Sequence, residues 1–525
     1  MSAQTEALLS SLPQRLSDIP PRWAALAPER VALAEGAVRF TYRQLADAVN
    51  HAAAQLRESG LRPGDRLMIL AENCIAQVVL IFAAARIDAW AVNVNARLSD
   101  REVDAIREHS RPRRVVYTVA ASPEAQAHAA RHGAQGICLS GVGDIALGKL
   151  DETCLPEPAQ ADGKDQVAAL IYTTGTTGQP KGVMLTHRNL LFIAATSSQV
   201  RGLLPSDRAY GVLPITHVFG LASVALGTLY AGASLYLAAR YTPAALIDAL
   251  RNDGLTIVQG VPAMYARLLD YDFGDWNPAD SRLRFIYAGG SPLDQTLKDQ
   301  VERLFGRPLH NGYGMTESSP TISQTRIESP RRDTSVGSAI PGVDIRIVDV
   351  AGADAPQGEA GELWVRGPNV MKGYYRDPDL TAQVLDKDGW LNTGDIVRQD
   401  SEGALFLVGR TKELIIRSGF NVYPVEVEAA LNAHPAVIQS AVVGRQAEEG
   451  NEEVVAFVEL DPASGPVDPQ ALHAWLEPRL SPYKRPARII VMDAMPAAAT
   501  GKILKGRLKE LAQQLRKEEL HPESR

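Results

Sequence analysis

Cysteine is scarce in this chain, with three among 525 residues. Cys74, Cys138 and Cys154 show neither paired spacing nor metal-ligand spacing, so reduced thiols of a cytoplasmic protein are expected rather than a disulfide framework. There is no basic excess either. Lys and Arg number 54 against 61 Asp and Glu, a net charge of −7, so the chain advertises no nucleic-acid partner. No apolar run reaches the ~18 residues that a transmembrane helix needs. The opening MSAQTEALLSSLPQRL lacks the basic start and apolar core of a signal peptide. The last residues, Pro522 to Arg525, match no lipidation or peroxisomal signal. Repeats of fixed period and low-complexity tracts are also missing.

What is present is ordinary globular composition, 45% hydrophobic and 22% charged, with length enough for a large core and two or more domains. RLMILAE (66–72) reads as a buried strand, CIAQVVLIFAAARI (74–87) as a helix, and AWAVNVN (89–95) and RRVVYTV (113–119) as strands. Between the last two, Ser99 with Glu102 three residues on forms a capping box that opens a helix. The alternation recurs over 208–270, and FIYAGG (285–290) leads into a helix ending about Phe305. Such alternation predicts parallel sheets covered by helices. Near Gly409 the pattern changes to short strands with two or three helices, and QAEEGNE (446–452) reads as a polar loop. The expected organisation is an α/β domain over 1–409, a short polar hinge at 410–412, and a compact α+β domain over 413–525.

The stretch YTTGTTGQPKGV (172–183) follows the strand-like VAALIYTT. It fails the GxxxxGK[ST] pattern, because Lys181 follows Pro180 and Gly182 stands where a metal-binding hydroxyl belongs. Its physics still suits phosphate. Gly175 and Gly178 let backbone N–H groups converge on an anion, Thr173, Thr174, Thr176 and Thr177 add hydroxyls, and Lys181 adds a point charge.

That loop, with NGYGMTE (311–317), TGD (393–395), GRTKELIIRSGFNVYPVEVE (409–428) and PAAATGKILK (496–505) in this order, resembles the adenylate-forming superfamily of acyl-CoA synthetases, firefly luciferase and peptide-synthetase adenylation domains. The last motif departs from the usual arginine and serines at Ala497–Thr500, though its lysine is present. The resemblance implies a large N-terminal domain of parallel sheets layered with helices, with a small β-barrel-like part, and a small mobile α+β C-terminal domain. It also implies an acid–CoA ligase using ATP, Mg2+ and coenzyme A. A carboxylate attacks the α-phosphate of ATP, pyrophosphate leaves, and a thiol displaces AMP from the acyl-adenylate.

By the same resemblance, residues 173–178 and Lys181 hold the departing phosphates, and Thr316 bonds the α-phosphate. Glu317 ligates Mg2+ with Thr173 beside it. Tyr313 stacks on adenine, Asn311 lies at the base edge, and Gly312, Gly314 and Gly290 line the nucleotide site. Asp395 accepts from both ribose hydroxyls, which suits a group with two acceptor oxygens, and Arg410 supports the ribose or the phosphate. Lys502 bridges the reacting carboxylate and phosphate. Lys412 is the pivot, and Gly419 leaves room for the thiol arm. Acetylation of Lys502, by a lysine acetyltransferase opposed by a deacetylase, would remove its charge.

LPITHVFGLASVALG (213–227) resembles the segment that lines the acyl pocket, with His217 at the carboxylate end. Phe219, Ser223, Val261 and Ala288 match lining positions, as do Gly289, Gly290, Gly312 and Thr321. No acid lies between Pro214 and Tyr230 to pair a substrate ammonium, so the expected acid lacks one and is fatty, aryl or arylpropenoic. RSGFNVYPVEVE and SPYKRP (481–486) look most like the CoA-ligase branch, similar to 4-coumarate–CoA and fatty-acid–CoA ligases. No carrier domain follows the C-terminal domain, which speaks against a complete peptide-synthetase module. A free-standing enzyme that loads a carrier protein, and a nucleotide-binding sensor without catalysis, are the rival readings. A homodimer stays open.

Overall fold

A computed structural model describes residues 3–160, 162–174, 180–417, 420–447, 451–465, 467–497 and 503–520. Contacts divide the chain into two compact units. One comprises Met1–Gly290, Asp299–Ile345 and Val365–Leu391; the other comprises Ser291–Lys298, Arg346–Trp364 and Asn392–Arg525.

The larger unit is built on two sheets. The eight strands of the first run in the order Gly373–Tyr374, Pro180–Thr186, Val167–Thr174, Trp90–Asn95, Arg66–Ala71, Arg114–Tyr117, Gly143–Leu147, Gln135–Leu139. Its centre, from Val167–Thr174 to Arg114–Tyr117, is parallel. Strand Arg66–Ala71 is buried at every residue, as a run of RLMILA covered on both faces must be. Helix Ile75–Arg86 is apolar almost all round and is buried along nearly its whole length, packed on helix Tyr42–Glu58. The expected capping box is present: Ser99 Oγ accepts from Glu102 N at 3.4 Å, and Glu102 Oε2 accepts from Ser99 N at 2.9 Å.

The nine-stranded second sheet carries the parallel run Leu309–Gly314, Phe285–Ala288, Ile257–Gly260, Arg208–Gly211, Ser234–Leu237, Val31–Glu35. Alternation of strand and helix anticipates these parallel centres. It does not anticipate the antiparallel edges, such as Gln135–Leu139 with Gly143–Leu147 and Val31–Glu35 with Val38–Thr41. Those hairpins turn within two or three residues, Gly36–Ala37 and Ser140–Val142, and leave no helical period between their strands.

In the smaller unit, Val437–Gln446 pairs antiparallel with Glu452–Leu460, which pairs parallel with Arg488–Met492. Alternate residues feed two cores. Val442 and Val454 pack with helices Pro424–Asn432 and Pro469–Leu476 through Val427, Leu431 and Leu472. Val443 and Val455 pack with Leu508 and Ala512 of helix Lys505–Leu520. This unit also holds strands Leu391–Gln399 and Leu405–Arg410, in a four-stranded sheet. Among the described residues no helix is long and apolar enough to cross a membrane, and all three cysteines are free thiols.

Candidate active site

Parallel strands present loops at their carboxyl ends, where open α/β sheets collect ligands. In the larger unit, several of the sequence-selected residues stand there. His217 follows strand Arg208–Gly211, Val261 follows Ile257–Gly260, Ala288 closes Phe285–Ala288 ahead of Gly289 and Gly290, and Asn311 to Gly314 close Leu309–Gly314.

The phosphate-loop hairpin brings Thr173 opposite Lys181, and Thr174 opposite Pro180. Gly175, Thr176, Thr177 and Gly178 lie outside the described residues. Strand Gly373–Tyr374 pairs with Pro180–Thr186, placing Tyr374 opposite Val183. The segment before it is tied down by Asn189, whose Nδ2 donates to Pro368 O at 2.8 Å and Val370 O at 2.9 Å. Tyr374 then links two sequence-selected residues. Its hydroxyl donates to Glu317 Oε1 at 2.8 Å, and Lys181 Nζ sits 5.8 Å from its ring centroid. Burial, and then the adjacent Glu317 charge, push the Tyr374 hydroxyl far above its ordinary value, so it remains a donor. Met371 N donates to Glu317 O at 2.9 Å, fixing the backbone of the same residue.

Thr316 and Glu317 form a single buried 3-10 turn, Thr316–Ser318. Gly314 is demanded by close approach: a Cβ there would lie 1.9 Å from Pro320 O. Tyr313 is buried. Asn311 is engaged locally; its Nδ2 donates to Thr334 O and Ser335 O at 3.2 Å, and its Oδ1 accepts from Gly312 N at 2.9 Å.

Three of the residues expected to line an acyl pocket, Phe219, Gly289 and Gly312, meet one tyrosine that the sequence does not single out. The ring of Tyr287 meets Phe219 edge-on at 6.0 Å. A Cβ on Gly312 would lie 2.0 Å from Tyr287 Oη, and one on Gly289 would lie 3.1 Å from its ring and 3.3 Å from Phe219. Gly290, at φ +81°, faces Val261. Ser223 Oγ and Thr321 Oγ1 are 3.3 Å apart and buried. His217 is exposed at the start of the helical segment that carries Phe219, its carbonyl accepting from Leu221 N at 2.9 Å. Buried Asn73 fixes the approach to it. Its Nδ2 donates to Gly211 O and Leu213 O at 3.0 and 2.8 Å, and its Oδ1 accepts from Ile215 N at 2.8 Å. An asparagine between a strand and a helix reads as a cap, so nothing local marks this reach of 140 residues.

In the smaller unit, Asp395 is buried opposite Arg410 across paired strands, and Arg410 Nε donates to Asp395 Oδ1 at 2.9 Å. Lys412 is exposed in the turn Thr411–Glu413. Gly419 and Lys502 lie outside the described residues. The flanks of Lys502 meet in an antiparallel bridge, Ala497 with Ile503, and Leu504 N donates to Pro496 O at 2.7 Å. Lys505 Nζ lies 2.9 Å from Glu413 Oε2 and 2.8 Å from Glu428 Oε1, so the residues after Lys502 are anchored by two carboxylates.

A family model described as AMP-binding enzyme matches residues 21–375, and one described as AMP-binding enzyme C-terminal domain matches residues 426–502. The feruloyl-CoA synthase of an Amycolatopsis species is 36% identical over 488 residues, 91% of this chain and 95% of that protein. The 4-coumarate–CoA ligase of Pinus taeda is 32% identical over 497 residues, 91% of each. Among solved structures, ATP-bound MatB from Rhodopseudomonas palustris matches with a TM-score of 0.84 at 30% identity, over 95% of this chain and 99% of that one.

Proposed function

The chain belongs to the AMP-binding enzyme family of adenylate-forming acid–thiol ligases, and from that premise we propose that it joins an aromatic carboxylic acid to coenzyme A. ATP, Mg2+ and coenzyme A are the other components of the reaction. The observation that carries the reading is the convergence of Lys181 and Glu317 on Tyr374, which sets a cation and a hard oxygen ligand beside the mouth of the phosphate-loop hairpin.

The first half-reaction brings a carboxylate against a polyanion. Each pair of unit charges near 4 Å repels by about 4 kcal/mol at an effective dielectric near 20. Lys181 and the 173–178 loop take up the charge of the departing phosphates, and Thr316 donates to the phosphate under attack. Glu317 would hold Mg2+, a hard cation that asks the protein for one or two carboxylates, and the ion would supply charge neutralisation at the phosphates. Tyr313 and Gly314 flank the base, with Asn311 shaping the strand end beside them, and Asp395 with Arg410 holds the ribose. Lys502 neutralises the reacting pair. Rotation about Lys412 then withdraws it and opens the path past Gly419 for the thiol.

His217 is the carboxylate-end gate. Phe219, Val261, Ala288 and the bare backbones of Gly289 and Gly290 form a slot beside Tyr287 that suits a flat ring. The two named relatives, for ferulic and coumaric acids, support an aromatic rather than a long-chain fatty acid.

Acid-dependent ATP–pyrophosphate exchange, followed by CoA consumption over a panel of cinnamic, benzoic and fatty acids, tests the reading. Exchange and CoA consumption with aromatic acids support it. Exchange without CoA consumption points to a carrier-protein acceptor, no exchange with any acid points to a sensor, and a fatty acid as best substrate overturns the substrate class.

A further inference from the structure

The strands that carry the acyl-pocket residues at their carboxyl ends bound a different cavity at their amino ends. Arg208 opens strand Arg208–Gly211, Gly254 comes three residues before Ile257–Gly260, and Arg282 comes three residues before Phe285–Ala288. The three strands are parallel neighbours. Arg208, Gly254 and Arg282, together with helical segment Ala249–Asp253 and Trp276, line a cavity of about 210 Å3. Each strand has four residues, a length of about 13 Å, so the cavity stands apart from His217, Val261 and Ala288.

Three lining residues are arginines, Arg208, Arg251 and Arg282. None of the three forms an ion pair with a carboxylate among the described residues, whereas arginines next to the cavity do. Arg39 Nη2 donates to Asp253 Oδ1 at 2.8 Å, and Arg284 Nε donates to Asp207 Oδ1 at 2.6 Å. The carboxylates beside Arg208 and Gly254 are thus committed to arginines outside the lining. Asp280 lines the cavity, is exposed, and pairs with none of the three, which leaves an excess of two positive charges.

Two of the guanidiniums are tethered. Arg208 Nη1 donates to Asp253 O at 2.5 Å; Arg251 Nη2 donates to Phe273 O at 2.7 Å, and its guanidinium lies 4.9 Å from the Trp276 ring centroid. Arg282 forms no hydrogen bond or ion pair among the described residues. Yet Arg208 Nη1 and Arg282 Nη1 come within 3.5 and 3.6 Å of the point that a Cβ on Gly254 would occupy. Two like charges therefore flank one bare glycine, an arrangement that an anion between them would relieve. Ser281 lines the same cavity at 9% exposure, and its Oγ is buried without a hydrogen-bond partner among the described residues. Buried hydroxyls are nearly always satisfied, and this one can donate to an oxyanion.

Guanidinium forks match carboxylate and phosphate oxygens. A monocarboxylate cannot balance an excess of two charges, and a phosphate ester carries nearly that many. The volume equals about seven waters at ~30 Å3 each and falls below the ~300 Å3 of a drug-sized pocket, which asks for a small ligand. We infer that Arg208, Arg251, Arg282 and Ser281 form a binding site for a small phosphoanion, separate from the site for ATP. Pyrophosphate and a small phosphate monoester share this chemistry. The site binds and releases its ligand without making or breaking a bond, and the inference does not depend on the aromatic-acid reading.

The test is calorimetric titration of the full chain without Mg2+ and at constant ionic strength, with pyrophosphate in one arm and glycerol 1-phosphate in the other. Lys181→Ala serves as the parent, so that the phosphate loop contributes little. At least one of the two anions should bind, and should raise the melting temperature. Arg251→Gln and Arg282→Gln in that background should raise its Kd by about tenfold or more, and Arg282→Glu should abolish binding. Tryptophan emission should change on binding, and Trp276→Phe should remove the change. Arg282 has no bond to lose, so Arg282→Gln and Arg282→Glu carry the test where Arg251→Gln fails to fold. Tighter binding of pyrophosphate assigns the site to a product of adenylation, and tighter binding of the ester assigns it to a phosphorylated metabolite. Equal Kd values in the parent and the folded arginine variants would overturn the inference, as would binding of neither anion. Equal stabilisation by acetate at the same ionic strength would remove the assignment to phosphate.

Discussion

The hydroxyl of Tyr374 donates to Glu317 Oε1 across 2.8 Å, although 57 residues separate them along the chain. The bond orients the carboxylate proposed to meet Mg2+. A hydrogen bond to a charged group is worth about 1.5–3 kcal/mol. Tyr374→Phe deletes it while keeping the ring under Lys181. ATP–pyrophosphate exchange should then fall on the order of tenfold in kcat/KM for ATP, with a higher Mg2+ requirement. An unchanged Mg2+ titration would separate Tyr374 from the metal site.

Much of the scaffold is legible in the sequence, and the reason is local. Strand Arg66–Ala71 and helix Ile75–Arg86 announce themselves by apolar run and length, and Ser99 with Glu102 announces a helix start, because each signal lies within one element. Thr173, Lys181 and Asp395 stand on paired strands in their own units, and Glu317 stands in the 3-10 turn that follows strand Leu309–Gly314. What stays hidden is set by register between distant strands. Nothing near Tyr374 says that a two-residue strand will pair it beside Lys181. Nothing in NGYG says that the missing side chain of Gly312 makes room for Tyr287 Oη. Arg201 reads as one more surface arginine before a turn, and only packing against segment Phe219–Leu226 and strands Ile257–Gly260, Phe285–Ala288 and Thr321–Gln324 buries it.

Asp395 and Arg410 offer a test in the smaller unit. The carboxylate is buried and takes the Arg410 Nε at 2.9 Å. Asp395→Ala removes the proposed ribose acceptor and leaves Arg410 without this partner. KM for ATP should rise at least about tenfold while KM for the acid changes little, since a lost bond to a charged acceptor costs about 1.5–3 kcal/mol. Initial-rate kinetics in both substrates checks this, and equal effects on both KM values would indicate a general loss of structure.

A pH effect follows from His187. Its Nδ1 accepts from Leu16 N at 3.2 Å, which requires an unprotonated nitrogen there. Burial pushes the group from 6.5 down to about 3, with Asp88 opposing and Arg15 assisting. Between those values the unfolded chain binds a proton that the folded chain excludes, so stability falls as pH drops below 6.5 and levels off below about 3. From pH 7.5 to 5.5 this one group should cost about 1.4 kcal/mol. His187→Gln lacks the titration, so the difference between wild type and variant in urea unfolding should shrink by that amount at the lower pH. Parallel pH profiles would place the histidine elsewhere.

Lys502 and Lys412 separate the two half-reactions. If Lys502 neutralises the meeting of carboxylate and phosphate, Lys502→Ala should slow adenylation by about a hundredfold or more, the usual loss for a charge-stabilising group. CoA transfer from preformed acyl-adenylate should survive, because that step no longer opposes two anions. Acetylation of Lys502 removes the same charge and should have the same signature. Lys412→Pro should give the mirror image. Proline fixes φ near −65° and stiffens an exposed turn, so adenylation continues while the rotation needed for thioester formation is slowed. Single-turnover measurement of each half-reaction distinguishes the outcomes. Equal losses in both steps for Lys412→Pro would remove the hinge from this position, and full adenylation by Lys502→Ala would remove the lysine from the chemistry.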